Sequence, residues 1–260
     1  MADIQVLSGL NAKTAPVPLF IAETWPNFSN QLLTAAFVGS GWPMSPDYDY
    51  SLRRRSLATP RGQHTVTGNL TASAGYATPT AANHLTTPVT DSAALSSGSS
   101  KITLCAVMRT PRVAQGEIWS TLFSSAESSI RFYVGSSGTI VAAADNAAEA
   151  SSTVSLSTTG MTAGAWEFVA AVFNGLNVTL YRRAADNADF VTGTGTLSIS
   201  ALAGANRAFR FGCTQQSAPT NVGGCDLATG AIYKGALTAA QIEAARVKLQ
   251  PRLAAKGIAI

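Results

Sequence analysis

The chain has 260 residues, of which 46% are hydrophobic and only 12% are charged, and its formal net charge at pH 7 is +4. This length accommodates one large β domain with a small appendage, and the low charge argues against long, salt-bridged helices. There is no run of about 18 apolar residues, and residues 1–30 lack a basic start followed by an apolar stretch. We therefore expect no membrane span, no signal peptide and synthesis in a cytosol.

Residues 1–95 carry eight of the eleven prolines and show few regular patterns. Short apolar patches and two tryptophans predict a loop-rich, extended arm that is ordered by packing against another surface. The basic triplet at 53–55 favours a solvated loop, with contact to phosphate or to an acidic protein as the alternative. The candidates for anchoring the arm are Trp25, Trp42, Arg53, Arg54 and Arg55.

Residues 96–260 predict a mainly β domain. The segment KITLCAVMR alternates apolar and other residues, and similar short runs follow as far as TGAIY, separated by turn residues. The segment AWEFVAAVFNGLNVTLYRR predicts a hairpin in which Asn174 and Gly175 form a type I′ turn. About ten closely spaced strands indicate an antiparallel β-sandwich or jelly roll.

A C-terminal helix is predicted over residues 238–250. Thr238 caps it and Gln241 completes a capping box. Pro251 is expected to end or kink the helix, and Gly257 to stop a further turn. One apolar stripe faces the sandwich: Ile242, Ala245 and Leu249.

The order W…VAAVFNG…VTLYRR followed by GAIYKGALTAAQIEAA resembles the concanavalin A-like, laminin-G-like sandwich family. The closing KLQPRLAAKGIAI is similar to tails of such domains in bacteriophage virion proteins. The resemblance covers residues 96–260 and implies the fold more specifically than the function, since this sandwich serves lectins, glucanases, adhesion modules and virion decorations.

Catalytic patterns are missing from the sequence. Glucanases of this superfamily carry a Glu-x-Asp-x-x-Glu strand, which this chain lacks, although Glu167 beside Trp166 is a carboxylate to inspect. His64 and His84 lie in the first part of the chain, and no Gly-x-Ser-x-Gly elbow supports a triad. We expect no enzymatic activity.

Metal and glycan sites have weaker signals. Asp-Asn turns at two places offer oxygen ligands for a hard cation, although such pairs are also ordinary turn residues. The metal candidates are Asp145, Asn146, Asp186, Asn187 and Asp189. Sugar binding needs an exposed aromatic ring with amide or carboxylate neighbours. The glycan candidates are Trp119, Tyr133, Tyr181, Gln215 and Gln216.

The three cysteines, Cys105, Cys213 and Cys225, lack metal-type spacing. We expect buried thiols in a reducing compartment, with a disulfide between the last two as the alternative.

These observations predict a non-enzymatic bacteriophage virion protein, a capsid decoration anchored by its N-terminal region, which displays a lectin-like sandwich. The alternatives are a tail-fibre or tail-tip protein that recognises a host surface glycan, and a glycan-degrading hydrolase. Expected partners are other capsid or tail proteins and further copies of the chain, for which symmetric virion sites favour a trimer. No cofactor, membrane or specific nucleic acid is expected.

Overall fold

A computed structural model of the chain describes residues 25–26, 28–37, 65–68, 75–95, 100–109, 115–147, 151–157, 162–218 and 224–260. These residues form two antiparallel sheets that pack face to face. The six-stranded sheet has the order β1 (Leu32–Phe37), β13 (Asp226–Lys234), β4 (Lys101–Arg109), β9 (Trp166–Asn174), β10 (Asn177–Ala184) and β11 (Val191–Thr196). The seven-stranded sheet has the order β2 (Thr65–Thr67), β3 (His84–Thr90), β12 (Ala208–Phe211), β5 (Gly116–Ser120), β6 (Ser129–Val134), β7 (Ile140–Asp145) and β8 (Ser152–Leu156). The predicted mainly β sandwich is confirmed.

The β9–β10 hairpin is confirmed, but its turn differs from the prediction. Asn174 pairs with Asn177 as the last residue of β9, so Gly175 and Leu176 are the two loop residues. Gly175 has φ 65°, and Leu176 is not among the residues with positive φ. A single positive φ at the first loop position fits a type II′ turn, whereas the predicted type I′ turn requires two.

The main core lies between the sheets and includes a pair of aromatic rings. Trp119 packs on Phe211 with ring centroids 4.3 Å apart, and its indole N–H donates to the Cys105 carbonyl across the sandwich at 2.9 Å. A Cβ at Gly230 would lie 2.7 Å from both rings. Glycine at this position therefore makes room for the aromatic pair.

A second apolar cluster covers the outer face of the six-stranded sheet, which is the face turned away from the other sheet. Helix α2 (Ala239–Ala254) contributes the predicted stripe, which is buried: Ile242, Ala245 and Leu249. Trp25 joins this cluster, where its indole N–H donates to Thr229 Oγ1 at 2.8 Å.

Helix α2 begins as predicted and runs further than predicted. Thr238 and Gln241 form the capping box. Pro251 lies inside the helix, four residues before the C-cap, so it removes one intrahelical hydrogen bond but does not end the helix. The stop occurs at Gly257, with φ 71°, where Ile258 N donates to the Leu253 carbonyl. Among the described residues, no helix is long and apolar enough to cross a membrane.

The predicted boundary between an N-terminal arm and the sandwich, between residues 95 and 96, does not agree with the strand pairing in the two sheets. β1 pairs with β13, and β3 pairs with β12, so residues before 96 complete both sheets. A further isolated bridge joins Ala77 to Leu227. The short helix α1 (Asp91–Ala94) follows β3 directly, capped by Thr90. The sandwich therefore includes strands from the region predicted to be an arm.

Candidate functional site

The outer face of the seven-stranded sheet gathers charged and aromatic side chains from three neighbouring strands. Glu117 of β5 lies opposite Tyr133 of β6, and Arg131 of β6 lies opposite Ser120 of β5. Arg210 of β12 pairs with Ser120 from the other side. We call this surface the outer polar face and define it by Glu117, Arg131, Tyr133 and Arg210.

An ion pair forms the centre of the outer polar face. Arg131 donates to Glu117 through Nε at 3.0 Å and through Nη2 at 3.1 Å. The guanidinium also lies over the Tyr133 ring, 4.6 Å from its centroid. Burial acts against the Arg131 charge, but the Glu117 carboxylate outweighs it, so the pKa of Arg131 is raised. Burial likewise raises the pKa of the Tyr133 hydroxyl.

A short loop after β12 forms one side of this face. Arg210 donates through Nη1 to the Thr214 carbonyl at 3.0 Å, and Gln215 N donates to the Leu122 carbonyl at 2.7 Å. The Gln215 side-chain amide donates to the Ala208 carbonyl. Gln216 Oε1 accepts from the Thr214 hydroxyl at 3.3 Å. The loop therefore brings two amide side chains to the edge of the outer polar face.

His84 lies on β3, which pairs with β12, the strand of Arg210, on the side away from β5. The residue is 5% exposed, and Nδ1 lies 3.1 Å from the Ala81 carbonyl. Burial, followed by the positive charge of Arg210, lowers the pKa of His84 below its ordinary value of 6.5. The ring is therefore neutral at pH 7.

The predicted glycan residues are divided between the two faces and the core. Trp119 is fully buried, which contradicts a role in stacking on a sugar. Tyr181 lies on the opposite side of the sandwich, edge to face with Phe190 at 5.7 Å. The remaining three candidates lie at the seven-stranded sheet but at different places: Tyr133 is opposite Glu117 near the start of β5, whereas Gln215 bonds to Leu122 beyond the end of β5 and Gln216 follows it.

The predicted metal residues do not form a cluster. Asp145 accepts a hydrogen bond from the Ser129 hydroxyl, and Asn146 donates to Ser200 Oγ at 3.3 Å. The other three lie in the separate β10–β11 turn: Asp186, Asn187 and Asp189. Within the described residues, no three His, Cys, Asp or Glu side chains come together as metal ligands.

The predicted anchoring residues are described only in part. Trp25 is 2% exposed and packs in the chain's own second cluster, so its indole is not available to another chain. The other four lie outside the described residues: Trp42, Arg53, Arg54 and Arg55. His64 also lies outside them.

Every glutamate among the described residues forms an ion pair with an arginine. Glu167, the carboxylate singled out for inspection, lies between the sheets with Arg182. Glu117 was not predicted as a site residue, and neither were Arg131 and Arg210. The sequence does contain a signal for the two arginines. In SIRFYV and AFRF, each arginine alternates with apolar residues, which places it on the outer face of its strand.

All three cysteines are free and buried. Burial raises the pKa of each thiol, that of Cys213 to about 11. The thiols are therefore protonated at neutral pH.

Two packed antiparallel sheets with a polar outer face define a lectin-like β-sandwich. The chain belongs to the concanavalin A-like lectin/glucanases superfamily, whose laminin-G model matches residues 79–243. A search of curated protein sequences finds no match.

Solved structures share this fold. The structure of botulinum neurotoxin type C, which interacts with two ganglioside molecules, aligns with a TM-score of 0.55 and 11% identity over 86% of this chain and 52% of that chain. The binding domain of botulinum neurotoxin serotype D/C VPI 5993 aligns with a TM-score of 0.53 and 12% identity over 85% and 53%. Domain 4 of AbnA, an arabinanase from Geobacillus stearothermophilus, in complex with arabinotriose, aligns with a TM-score of 0.48 and 18% identity over 71% and 88%. The chain spans about half the length of the two toxin chains, and at these identities the similarity to the toxins establishes the fold alone.

Proposed function

We propose that this chain is a non-enzymatic, carbohydrate-binding sandwich and that the outer polar face is its binding surface. The observation that carries this proposal is the arrangement of Tyr133 beside the Glu117–Arg131 pair, with the loop amides at the edge. Sugars are bound by partly exposed aromatic rings together with a small number of fixed polar groups. Tyr133 is half-buried, as such a ring must be.

Family membership supports the same proposal, because the superfamily is named for lectins as well as glucanases. The toxin of similar fold that interacts with gangliosides adds support of the same kind. The pairing of carboxylates argues against hydrolysis. A retaining glycosidase needs one free carboxyl as acid and another as nucleophile about 5 Å away, whereas Glu117 and Glu167 are each held by an arginine.

We infer a virion as the setting for this module. The support is the similarity of the closing KLQPRLAAKGIAI to tails of phage virion domains, together with the low charge of the chain. The chain would be anchored through its N-terminal region to capsid or tail proteins. A capsid decoration and a receptor-binding tail protein share this anchor and differ in whether glycan binding matters for infection.

Glycan binding is tested by array screening followed by calorimetry on the best-bound glycan. Tyr133→Ala should weaken binding by roughly 5-fold or more, since truncating an aromatic residue that is important in an interface costs more than about 1 kcal/mol. Tyr181→Ala is the matched control, because Tyr181 lies on the opposite side of the sandwich. Equal losses in both variants would contradict the outer polar face as the binding surface.

The virion setting needs a separate experiment. Full-length protein should co-sediment with virions that lack it, and substitution of the outer polar face should leave this association unchanged. Loss of sedimentation in Tyr133→Ala would show that this face contacts the virion instead of a glycan.

A further inference from the structure

Six arginines among the described residues form ion pairs with carboxylates. Their nitrogen–oxygen distances are 2.5 to 3.1 Å. The six are Arg109, Arg131, Arg182, Arg183, Arg207 and Arg246. Arg210 lies on the outer polar face and differs from them. Within the described part of the chain, its guanidinium bonds to the Thr214 carbonyl and to the Cys213 thiol, and it forms no ion pair with a carboxylate.

The guanidinium of Arg210 has unused hydrogen-bonding capacity. Its Nε is buried and lacks a hydrogen-bond partner. The Cys213 thiol accepts a hydrogen bond from this guanidinium but adds no negative charge, since burial raises the pKa of that thiol to about 11 although Arg210 acts to lower it. A partly buried cation with an unsatisfied donor is unfavourable in the free protein.

The other charges of the face do not compensate for Arg210. Glu117 is bound at both oxygens by Arg131. Asp145 carries a negative charge, but it lies on β7, three strands away from Arg210 of β12 in the sheet order, and it accepts from Ser129. His84 is neutral at pH 7, because burial and Arg210 lower its pKa. The face therefore retains the positive charge of one arginine.

We propose that Arg210 binds the anionic group of an acidic glycan, a sugar that carries a carboxylate or a sulfate. This inference rests on the proposed carbohydrate-binding function and narrows it to a ligand class. A guanidinium presents a planar fork of donors that matches both anions. Arg210 supplies the charge-assisted bonds, while Tyr133 and the amides of Gln215 and Gln216 contact the neutral part of the sugar.

The first test compares glycans that share a backbone and differ in charge. An array of neutral, carboxylated and sulfated members is probed with the full-length protein. Binding should be confined to acidic members and should fall with rising salt. The carboxylated and sulfated arms identify which anion is preferred.

Variants then assign the effect to one side chain. Arg210→Met should lose roughly 10- to 100-fold in affinity for acidic glycans, as expected for charge-assisted hydrogen bonds. Arg210→Lys keeps the positive charge but lacks the planar fork of donors, so its affinity for acidic glycans should lie between those of the parent and Arg210→Met. Arg252→Met is the control. It changes the net charge by the same amount, but Arg252 lies on α2 on the other side of the sandwich, so this variant should bind acidic glycans with the affinity of the parent.

Stability measurements separate binding from a structural role. Arg210→Met should unfold at the same denaturant concentration as the parent protein or at a higher one, because it removes a charge that lacks a carboxylate. Lower stability together with unchanged acidic-glycan affinity would overturn the inference.

The remaining outcomes distinguish the inference from the proposed function. If the parent and Arg210→Met bind neutral glycans equally well, the ligand is not an acidic glycan. The proposed carbohydrate-binding function would then still hold. Binding to no array member would overturn the function and the inference with it. A check that does not depend on the array is the Arg210 Nε–Hε resonance, which should shift with sodium glucuronate but not with its neutral methyl ester.

Discussion

Arg182 and Glu167 form an ion pair between the two sheets, with both side chains almost fully excluded from solvent. Arg182 donates through Nε at 2.6 Å and through Nη2 at 3.0 Å to the two carboxylate oxygens. Its Nη1 donates to the Gly138 carbonyl at 2.8 Å, in the turn between β6 and β7 of the opposite sheet. One side chain therefore bridges the sandwich and satisfies a buried carboxylate.

Breaking this pair should be strongly destabilising. Glu167→Leu leaves the Arg182 guanidinium buried without its carboxylate, and Arg182→Met leaves Glu167 in the same situation. Each change should cost about 3–5 kcal/mol of the free energy of unfolding, measured by urea denaturation. The double variant should recover most of this loss, since apolar residues often replace a buried pair at little cost.

Arg183→Met is the matched control for this prediction. Arg183 follows Arg182 on β10, but its pair with Glu243 is partly exposed. Its loss should cost no more than about 1 kcal/mol. Similar losses at both positions would contradict the importance of burial.

The sequence predicted the parts of the fold that depend on local patterns. Alternation identified most strands after residue 100, and the Thr238–Gln241 box located the start of α2. β3 was missed because Pro88 lies within it. Proline is tolerated there because the ladder with β12 is irregular between Ala208 and Arg210, and β2 pairs only with residues 84–86.

The candidate site was harder to predict, because its residues meet through sheet register. Strict alternation places Glu117 and Trp119 on the same face of β5. A register shift between them sends Trp119 into the core, while Glu117 stays opposite Tyr133 on the outer face. No local pattern in the sequence specifies such a bulge, so Trp119 was wrongly included among the sugar-binding rings.

Trp25 should stabilise the sandwich itself. It is 2% exposed, and its ring lies 6.0 Å from Phe168 and 6.5 Å from Tyr233. Trp25→Ala should lower the free energy of unfolding of the isolated protein by about 3–5 kcal/mol. Val247→Ala, at an exposed position of α2, should change it by less than about 0.5 kcal/mol. A normal unfolding curve for Trp25→Ala would instead return Trp25 to the anchoring candidates.

The two glycines of β11 allow this edge strand to lie close to β8. A Cβ at Gly195 would be 2.9 Å from both γ-methyl groups of Val154, whereas one at Gly193 would be 3.0 Å from the flexible end of Leu156. Gly195→Ala should therefore cost about 1–3 kcal/mol and Gly193→Ala less, even after the entropic gain of replacing glycine. Thr194→Ala, exposed between them, is the control in thermal unfolding, and equal melting temperatures for all three would refute the close approach.

His84 should make the folded protein sensitive to mildly acidic pH. Its pKa is lowered by burial and by Arg210, so the unfolded chain takes up a proton near pH 6.5 while the folded ring stays neutral. The unfolded state then binds more protons, and the free energy of unfolding falls as the pH drops from about 6.5 towards the folded pKa. The carboxylates Glu127 and Glu243, whose pKa values are lowered chiefly by hydrogen bonds from Arg207 and Arg246, add their own losses only below about pH 4.5.

The variant His84→Asn isolates the histidine contribution, because its amide N–H can take the place of Nδ1 in the bond to the Ala81 carbonyl. Urea denaturation at about pH 7, 6 and 5 should show a decline for the parent protein that is reduced in the variant. Parallel declines in the two proteins would mean that the His84 pKa is the same in the folded and unfolded states. A steeper decline in the variant would mean that the folded protein binds the proton more tightly than the unfolded chain, contrary to the effect of burial next to Arg210.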